Sequence, residues 1–345
     1  MLKNQNNQAI RMDNKKCSIV IPTYNRADLL KTILSQLSNQ DSVDLIGEIL
    51  ICDSLSHDST SEVIENAKTL FSDTNILHLN TENNISKKRN IGISKASYDY
   101  LIFFDDDCEP EKDCIENHVN ALKQSKMTIF SGIVKFPDDQ VLEDNYIRYR
   151  NSRHRFYDNF LITDSISYKE IVTMNLSISR EDLIKNDLFF DETFLSYGME
   201  DNEFGFRASQ KGFQLHVCQA SIIHHDRHDL NTFKKKIYST ARDGTGRFLE
   251  KYPEAVWNFY YSKYFEPDYP YHSLIDKIIA VIFRSLLFNS VSNILTKILI
   301  ATKNNNLFYS KYPYKYVLAC EYNRGVKERH LRYKNDEEIK KGFFD

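Results

Sequence analysis

Through the first third of the chain, short apolar runs alternate with stretches whose apolar residues recur at helical spacing. The run CSIVIPT at 17–23 predicts a buried strand. The next segment, 28–39, predicts a helix with Leu29, Leu30, Ile33, Leu34 and Leu37 on its inner face. The alternation continues with a strand at 48–53 (EILICD) and a helix at 58–71, which Ser59 and Glu62 are spaced to open as a capping box. A strand at 75–80 (NILHLN), a short basic helix at 86–96 and a strand at 98–104 (YDYLIFF) follow. Strand–helix alternation predicts an α/β fold with a parallel sheet covered on both faces. Ligands of such sheets bind beyond the carboxyl ends of the strands, where 23–26, 53–54, 80–84 and 105–107 fall.

Residues 124–228 are less regular, with short strands, charged loops and an acidic helix start at 199–207. From Leu230 the pattern is helical, and from Lys303 the tail is rich in Lys, Tyr and Asn. The expected division is a polar extension at 1–16, an α/β domain at 17–229 and a mainly helical region at 230–345. Within the last, 273–301 carries Leu274, Ile275, Ile278, Ile279, Ile282, Leu286, Ile294, Ile298 and Leu299, many at helical spacing. Asp276, Lys277, Arg284 and Lys297 interrupt it, so it is no uninterrupted membrane span. Packing against the α/β domain is the expected role, because buried amphipathic helices are the commoner kind. The competing role is peripheral contact with a lipid interface, which the basic tail favours.

Composition narrows the class. Of 345 residues, 41% are apolar, enough for a substantial core, and the net charge of −3 gives no strong overall attraction to nucleic acid. Six scattered cysteines form no CxxC pair, and the polar N-terminus lacks the apolar core of a signal peptide. A reducing, cytoplasmic setting is therefore expected.

Four groups carry candidate chemistry. Asp105-Asp106-Asp107 closes an apolar strand, and adjacent carboxylates repel unless a cation is near. Mg²⁺ or Mn²⁺ takes such oxygen ligands and often shares them with a diphosphate; a solvated acidic turn is the alternative, and the strand-end position favours the metal. In GMEDNE at 198–203, Glu200 and Glu203 are spaced to share a helix face, with Asp201 pointing elsewhere. A carboxylate there suits a general base for a sugar hydroxyl, or ordinary complementing of the helix dipole. His224, His225, Asp226 and His228 suit a transition metal or a polar surface loop. Lys87-Lys88-Arg89 opens a helix against its dipole, which calls for an anionic partner, although Lys87 and Lys88 read more readily as solvated surface.

Taken together, these segments resemble the family 2 glycosyltransferases from about Cys17 to His228. SIVIPTYNR (18–26) resembles that family's opening strand and nucleotide loop, and ICDSLSHDST (51–60) its uracil-contacting segment. KRNIG (88–92) resembles the RNxG helix start, YLIFFDDDCEP (100–110) the DXD strand, and MNLSISR (174–180) the GN-aliphatic-x-x-R strand. The segment 198–207, with Gly212 and Phe213, resembles the GxEDx[DE] helix and its glycine turn, and is also similar to the galactosyltransferase-type half of bacterial chondroitin polymerases.

The resemblance implies a GT-A fold: a Rossmann-like mixed sheet flanked by helices, with a helical C-terminal appendage. It implies an inverting, metal-dependent transfer of sugar from a UDP-linked donor to a glycan or lipid-linked glycan acceptor, in bacterial capsule, lipopolysaccharide or other surface-glycan synthesis. Pro22, Thr23, Tyr24 and Arg26 would line the nucleotide pocket, Asp53 would face uracil or ribose, and Arg89 would lie near uracil or diphosphate. Asp105, Asp106 and Asn175 would contact the donor, and Asp107, His225 and Asp105 would surround Mn²⁺ or Mg²⁺. Asp201 would be the catalytic base, with Glu200 placing the acceptor. Two positions depart from the pattern: Ser54 replaces the second acid of DDGS, and Met174 replaces the glycine before Asn175. The rival functions are a catalytically silent binding module on the same fold and a glycoside hydrolase, whose two carboxylates flank the sugar.

Overall fold

The structure is a computed structural model and describes residues 16–123, 125–154 and 164–334. Strands β1 (Cys17–Thr23), β2 (Ile46–Asp53), β3 (Asn75–Asn80) and β4 (Tyr100–Phe104) pair in parallel in the order β3-β2-β1-β4. β1 and β2 are buried along their whole length, as continuous apolar runs covered on both faces should be. Helix α1 (Ala27–Ser38) buries the five apolar residues that its periodicity marks. Helix α2 (Thr60–Ala67) forms without the expected capping box. Ser59 makes no side-chain cap, and Asp58 Oδ1 accepts instead from Thr60 N at 3.1 Å and Thr60 Oγ1 at 2.6 Å. Helix α3 (Ile85–Lys95) is capped by Asn84 Oδ1, which accepts from Lys87 N at 3.0 Å.

Past β4 the sheet becomes mixed. β5 (Cys108–Pro110), β6 (Thr128–Lys135), β7 (Asn175–Ser179) and β8 (Gln214–His224) complete eight strands in the order β3-β2-β1-β4-β7-β6-β8-β5. β7 runs antiparallel to β4 and β6, β8 parallel to β6, and β5 antiparallel to β8. Helices α4 (Cys114–Lys123), α5 (Asp138–Glu143), α6 (Asn145–His154), α7 (Arg180–Lys185) and α8 (Glu200–Gln210) connect or flank these strands.

Asn175, expected to contact the donor, instead spends its side chain inside the sheet, where it pins this mixed half together. It is fully buried; its Nδ2 donates to Ile133 O at 3.0 Å and Ala220 O at 2.9 Å, and His118 Nε2 lies 2.7 Å from its Oδ1. Burial holds His118 down to about 4, so the imidazole is neutral. Gly132 leaves room for the amide: a Cβ there would lie 2.2 Å from Asn175 Nδ2.

The helical C-terminal region is α9 (Leu230–Ser239), a π turn at Thr240–Gly244, α10 (Thr245–Lys251), α11 (Pro253–Trp257), α12 (Ser262–Phe265), α13 (Leu274–Ser285), α14 (Asn289–Ala301) and α15 (Lys311–Lys334). α15 packs on α9, α14 and the π turn. A cluster of Phe136, Tyr146, Tyr149, Leu230, Phe233 and Tyr314 ties this region to the sheet domain. The packing expected of 273–301 does not describe its apolar stripe. α13 buries Ala280, while Leu274, Ile275, Ile278, Ile279 and Ile282 stay exposed.

Asn175→Ala should cost about 3 kcal/mol or more in urea unfolding, because it strands two carbonyls and an imidazole in the interior. Nucleotide affinity per folded molecule should hold; a stable variant with lost nucleotide binding would return Asn175 to the donor site.

Candidate active site

The site is organised around Arg89, in the first half of α3. Its side chain is 3% exposed, and a guanidinium buried that deeply needs carboxylate partners. Arg89 Nη2 lies 3.3 Å from Asp105 Oδ1, just past β4. Its Nη1 lies 3.1 Å from Asp201 Oδ1 and 3.7 Å from Glu200 Oε1, at the start of α8. Phe190 flanks the guanidinium at 5.3 Å. Thr173 orients Asp201 from the other side, its N donating to Oδ2 at 3.0 Å and its Oγ1 to Oδ1 at 2.7 Å. The chain enters α8 through two left-handed residues, Gly198 at φ 100° and Met199 at φ 76°. A left-handed methionine is a strained conformation, of the kind that collects at functional sites.

Burial, and then the charge of Asp201, push Glu200 up to about 7. Glu203 does not join the site. It is buried and pairs with Arg207, one turn on, at 2.6 Å.

A second knot lies beside the first. Arg26 Nη1 meets Asp106 Oδ1 at 2.7 Å and Asp107 Oδ2 at 3.0 Å, and Thr23 Oγ1 donates to Asp106 Oδ2 at 2.8 Å. Burial, against the pull of Arg26, raises Asp106 to about 6. Burial would raise Asp107 too, but His224 and Arg26 outweigh it and bring it down to about 2.

His224, and not His225, stands beside this carboxylate. His224 Nε2 faces Asp107 Oδ1 at 3.5 Å, whereas His225 turns to Glu109 Oε2 at 2.6 Å. Successive residues leaving a strand point to opposite faces, so only one of the pair can face Asp107. His225 contributes its backbone N, which donates to Asp107 O at 2.8 Å. Asp226 and His228 form a separate knot with Arg150, whose Nη1 lies 2.7 Å from Asp226 Oδ2.

At the end of β2, Asp53 Oδ1 accepts from Ser56 Oγ at 2.6 Å, and Asp53 Oδ2 faces His78 Nε2 of β3 at 3.1 Å. Ser54 Oγ donates to Glu82 O at 3.1 Å, so the serine in the acid's usual place bridges two loops. Pro22 lies within buried β1, while Tyr24 is partly exposed, with Lys88 Nζ at 5.7 Å from its ring centre. Lys88 is not solvated surface: it is buried, and its Nζ donates to Thr23 O at 2.8 Å. Lys87 does lie at the surface, paired with Glu82. Sequence reasoning did not single out Thr173 or His78. Thr173 adjoins the MNLSISR segment and His78 lies near the end of β3, which are the available signals.

Five carboxylates here meet two guanidinium groups. Four buried polar atoms of the site, Arg89 Nε, Glu200 Oε2, Asp107 Oδ1 and His224 Nδ1, have no hydrogen-bond partner among the described residues. Unsatisfied buried donors and acceptors at such a site can be met by a ligand's polar groups. Among the described residues, no three metal-ligating side chains converge into a protein cage. Asp107 and His224 fit a divalent cation that takes its remaining ligands from a diphosphate and water.

A mixed eight-stranded sheet flanked by helices, with a helical C-terminal part, is the architecture of the GT-A glycosyltransferases. Residues 18–178 match the family described as Glycosyl transferase family 2. The chain is 25% identical over 228 residues to glycosyltransferase AglE of Haloferax volcanii, covering 65% of this chain and 71% of that one. It is 23% identical over 236 residues to chondroitin synthase of Escherichia coli, covering 60% of this chain but only 34% of that longer one. A third relative is the GalNAc(5)-diNAcBac-PP-undecaprenol beta-1,3-glucosyltransferase of Campylobacter jejuni, 35% identical over 97 residues, which cover 27% of this chain and 30% of that one. The mannosyltransferase PcManGT from Pyrobaculum calidifontis, solved in complex with GDP-Man and Mn²⁺, shares the fold with a TM-score of 0.56 at 14% identity. The match covers 92% of this chain and 88% of that one.

Glu200 binds its proton more tightly when folded than the usual 4.5, so its contribution to stability falls as pH rises from about 4.5 through about 7. Urea titrations should show this slope in the wild type and lose it in Glu200→Gln. The variant should also lose an inflection in kcat near pH 7, and an unchanged profile would assign that inflection to another group.

Proposed function

We propose that this glycosyltransferase moves a sugar from a UDP-linked donor to a hydroxyl of a glycan acceptor, by one inverting displacement assisted by Mn²⁺ or Mg²⁺. The observation that carries this reading is Arg89, a single buried cation joining Asp105 on the donor side to Asp201 on the acceptor side. Asp201, oriented by Thr173 and Arg89, accepts the proton of the attacking hydroxyl. The hydroxyl oxygen bonds to the anomeric carbon, the bond from that carbon to the diphosphate oxygen breaks, and its electron pair leaves on the diphosphate. Arg26 and Lys88 supply positive charge on that side, already fixed in place by Asp106, Asp107 and Thr23 O. Asp107 and His224 would hold the divalent cation, which neutralises charge on the departing diphosphate.

The uracil preference rests on the 51–60 segment, where Asp53 ends β2 and faces His78 of the neighbouring β3. The surface-glycan setting and a lipid-linked acceptor are supported by what the chondroitin synthase and the undecaprenol-linked glucosyltransferase are named for. The six free, buried cysteines support work in a reducing compartment. A silent binding module would have no use for a base oriented by three donors. A hydrolase would set its carboxylates across the sugar, whereas here Asp105 and Asp201 share one guanidinium.

Asp201→Asn should lower kcat by about 10²- to 10⁴-fold while UDP affinity in calorimetry stays near wild type. Near-normal turnover would move the base elsewhere. EDTA should abolish transfer and added Mn²⁺ restore it. His224→Ala should raise the Mn²⁺ concentration needed for half-maximal rate well above that of His225→Ala; the reverse order would reassign the cation's histidine.

A further inference from the structure

Helices α13 and α14 are turned inside out relative to ordinary surface helices. On α13, Leu274, Ile275, Ile278, Ile279, Val281, Ile282 and the following Leu286 span roughly 160° of the circumference at 3.6 residues per turn. This arc points away from the protein: Ile275 is 70% exposed, and Ala280 is the contact side. α14 repeats the arrangement. Val291, Ile294 and Ile298 face outward, while Ser292 and Thr296 are buried with Leu299. Thr296 Oγ1 accepts from Lys234 Nζ of α9 at 3.0 Å, so part of the packed face is polar. An amphipathic helix on a water-soluble surface has the opposite sense.

The pair is held in a fixed bend of 61°. At the break, Tyr316 Oη donates to Leu286 O at 2.9 Å and accepts from Phe288 N at 3.1 Å, leaving Phe288 exposed at the apex. With 12 and 13 residues, each helix is about 18–20 Å long, short of a bilayer core of about 30 Å. Lying in the plane of an interface suits that length. Residues 273–316 carry six basic side chains, Lys277, Arg284, Lys297, Lys303, Lys311 and Lys315, against one acid, Asp276, in a chain of net charge −3. Lys277, Lys297, Lys303, Lys311 and Lys315 are exposed. Such flanks repel a second copy of the same surface and complement anionic headgroups.

We infer that α13–α14 is a membrane seat: the bent pair lies in the surface of an anionic bilayer, its isoleucine and leucine stripe in the acyl boundary and its lysines at the headgroups. α9 connects this seat to Tyr197, just ahead of α8, and to the Arg150 knot. It bonds α14 through Lys234 and carries Lys236, whose Nζ stands 4.4 Å from the Tyr197 ring centre and 3.3 Å from His228 Nδ1. A seated enzyme therefore holds its cleft at a fixed attitude to the lipid.

The test is cosedimentation of the full chain with phosphatidylglycerol–phosphatidylcholine vesicles, which needs no transfer activity. The wild type should bind at low salt, bind less as salt rises, and bind pure phosphatidylcholine more weakly. Combined Ile275→Glu, Ile282→Glu and Ile294→Glu should lower the partition coefficient by about a hundredfold or more, with the thermal melt preserved because all three positions are exposed. A wild type that stays in solution at low salt, or a triple variant that binds equally, would overturn the inference. So would a protein that ignores vesicles but forms dimers in light scattering that these substitutions dissociate, for then a second copy covers the stripe.

Discussion

A guanidinium group buried as deeply as Arg89 fixes everything around it. Its charge persists at any ordinary pH, so the fold must supply carboxylates or pay several kcal/mol of desolvation without return. Asp105 comes from the end of the parallel half of the sheet, and Glu200 and Asp201 from a helix beyond the antiparallel insertion. These acids repel one another, which adds to burial in raising Glu200, and Arg89 is the group that lets them share one place. The same pair of bonds that neutralises the arginine sets the distance between the end of β4 and the start of α8.

That arrangement depends on the change of strand direction after β4. β7 enters beside β4 in the opposite sense, so the residues just before it, Thr173 among them, arrive at the carboxyl ends of the parallel strands. Asn175 and His118 then stitch β7 to β6 and β8 from within. The crossing therefore has little freedom to slide, and Thr173 meets Asp201 with both its N–H and its hydroxyl. Gly198 and Met199 complete the arrangement by bending the chain so that α8 begins at the cleft.

The parallel half was legible because strands covered on both faces declare themselves as unbroken apolar runs. The pairing of β5 to β8 was not, because these strands pair across long separations and in both senses. Motif resemblance named the residues of the site better than it oriented them. His224 and His225 are equivalent until it is known which face of β8 meets the cleft, and Lys87 and Lys88 until the turn of α3 is placed. Asn175 matched its motif, yet nothing in its neighbours revealed that carbonyls of two other strands would take its amide. Ser59 had the right spacing for a cap, but Asp58 is a charged acceptor one residue earlier and took that role.

Periodicity has the same blind spot in α13 and α14: it reveals a stripe but not where the stripe points. The physical cost of the observed choice is informative. Around α14 the structure buries Lys234 with Glu321 at 3.3 Å, and Ser292 with Thr296, where isoleucines of the same helix would pack without desolvating any charge. In water alone, rotating the helix to bury Val291, Ile294 and Ile298 would be the more stable arrangement. The chain forgoes it, and anchors the inward face instead with the Lys234–Thr296 hydrogen bond. A local conflict that lowers stability in water has a physical rationale when the outward face meets a solvent other than water, and a lipid surface flanked by anionic headgroups is the one that this stripe and its lysines complement together.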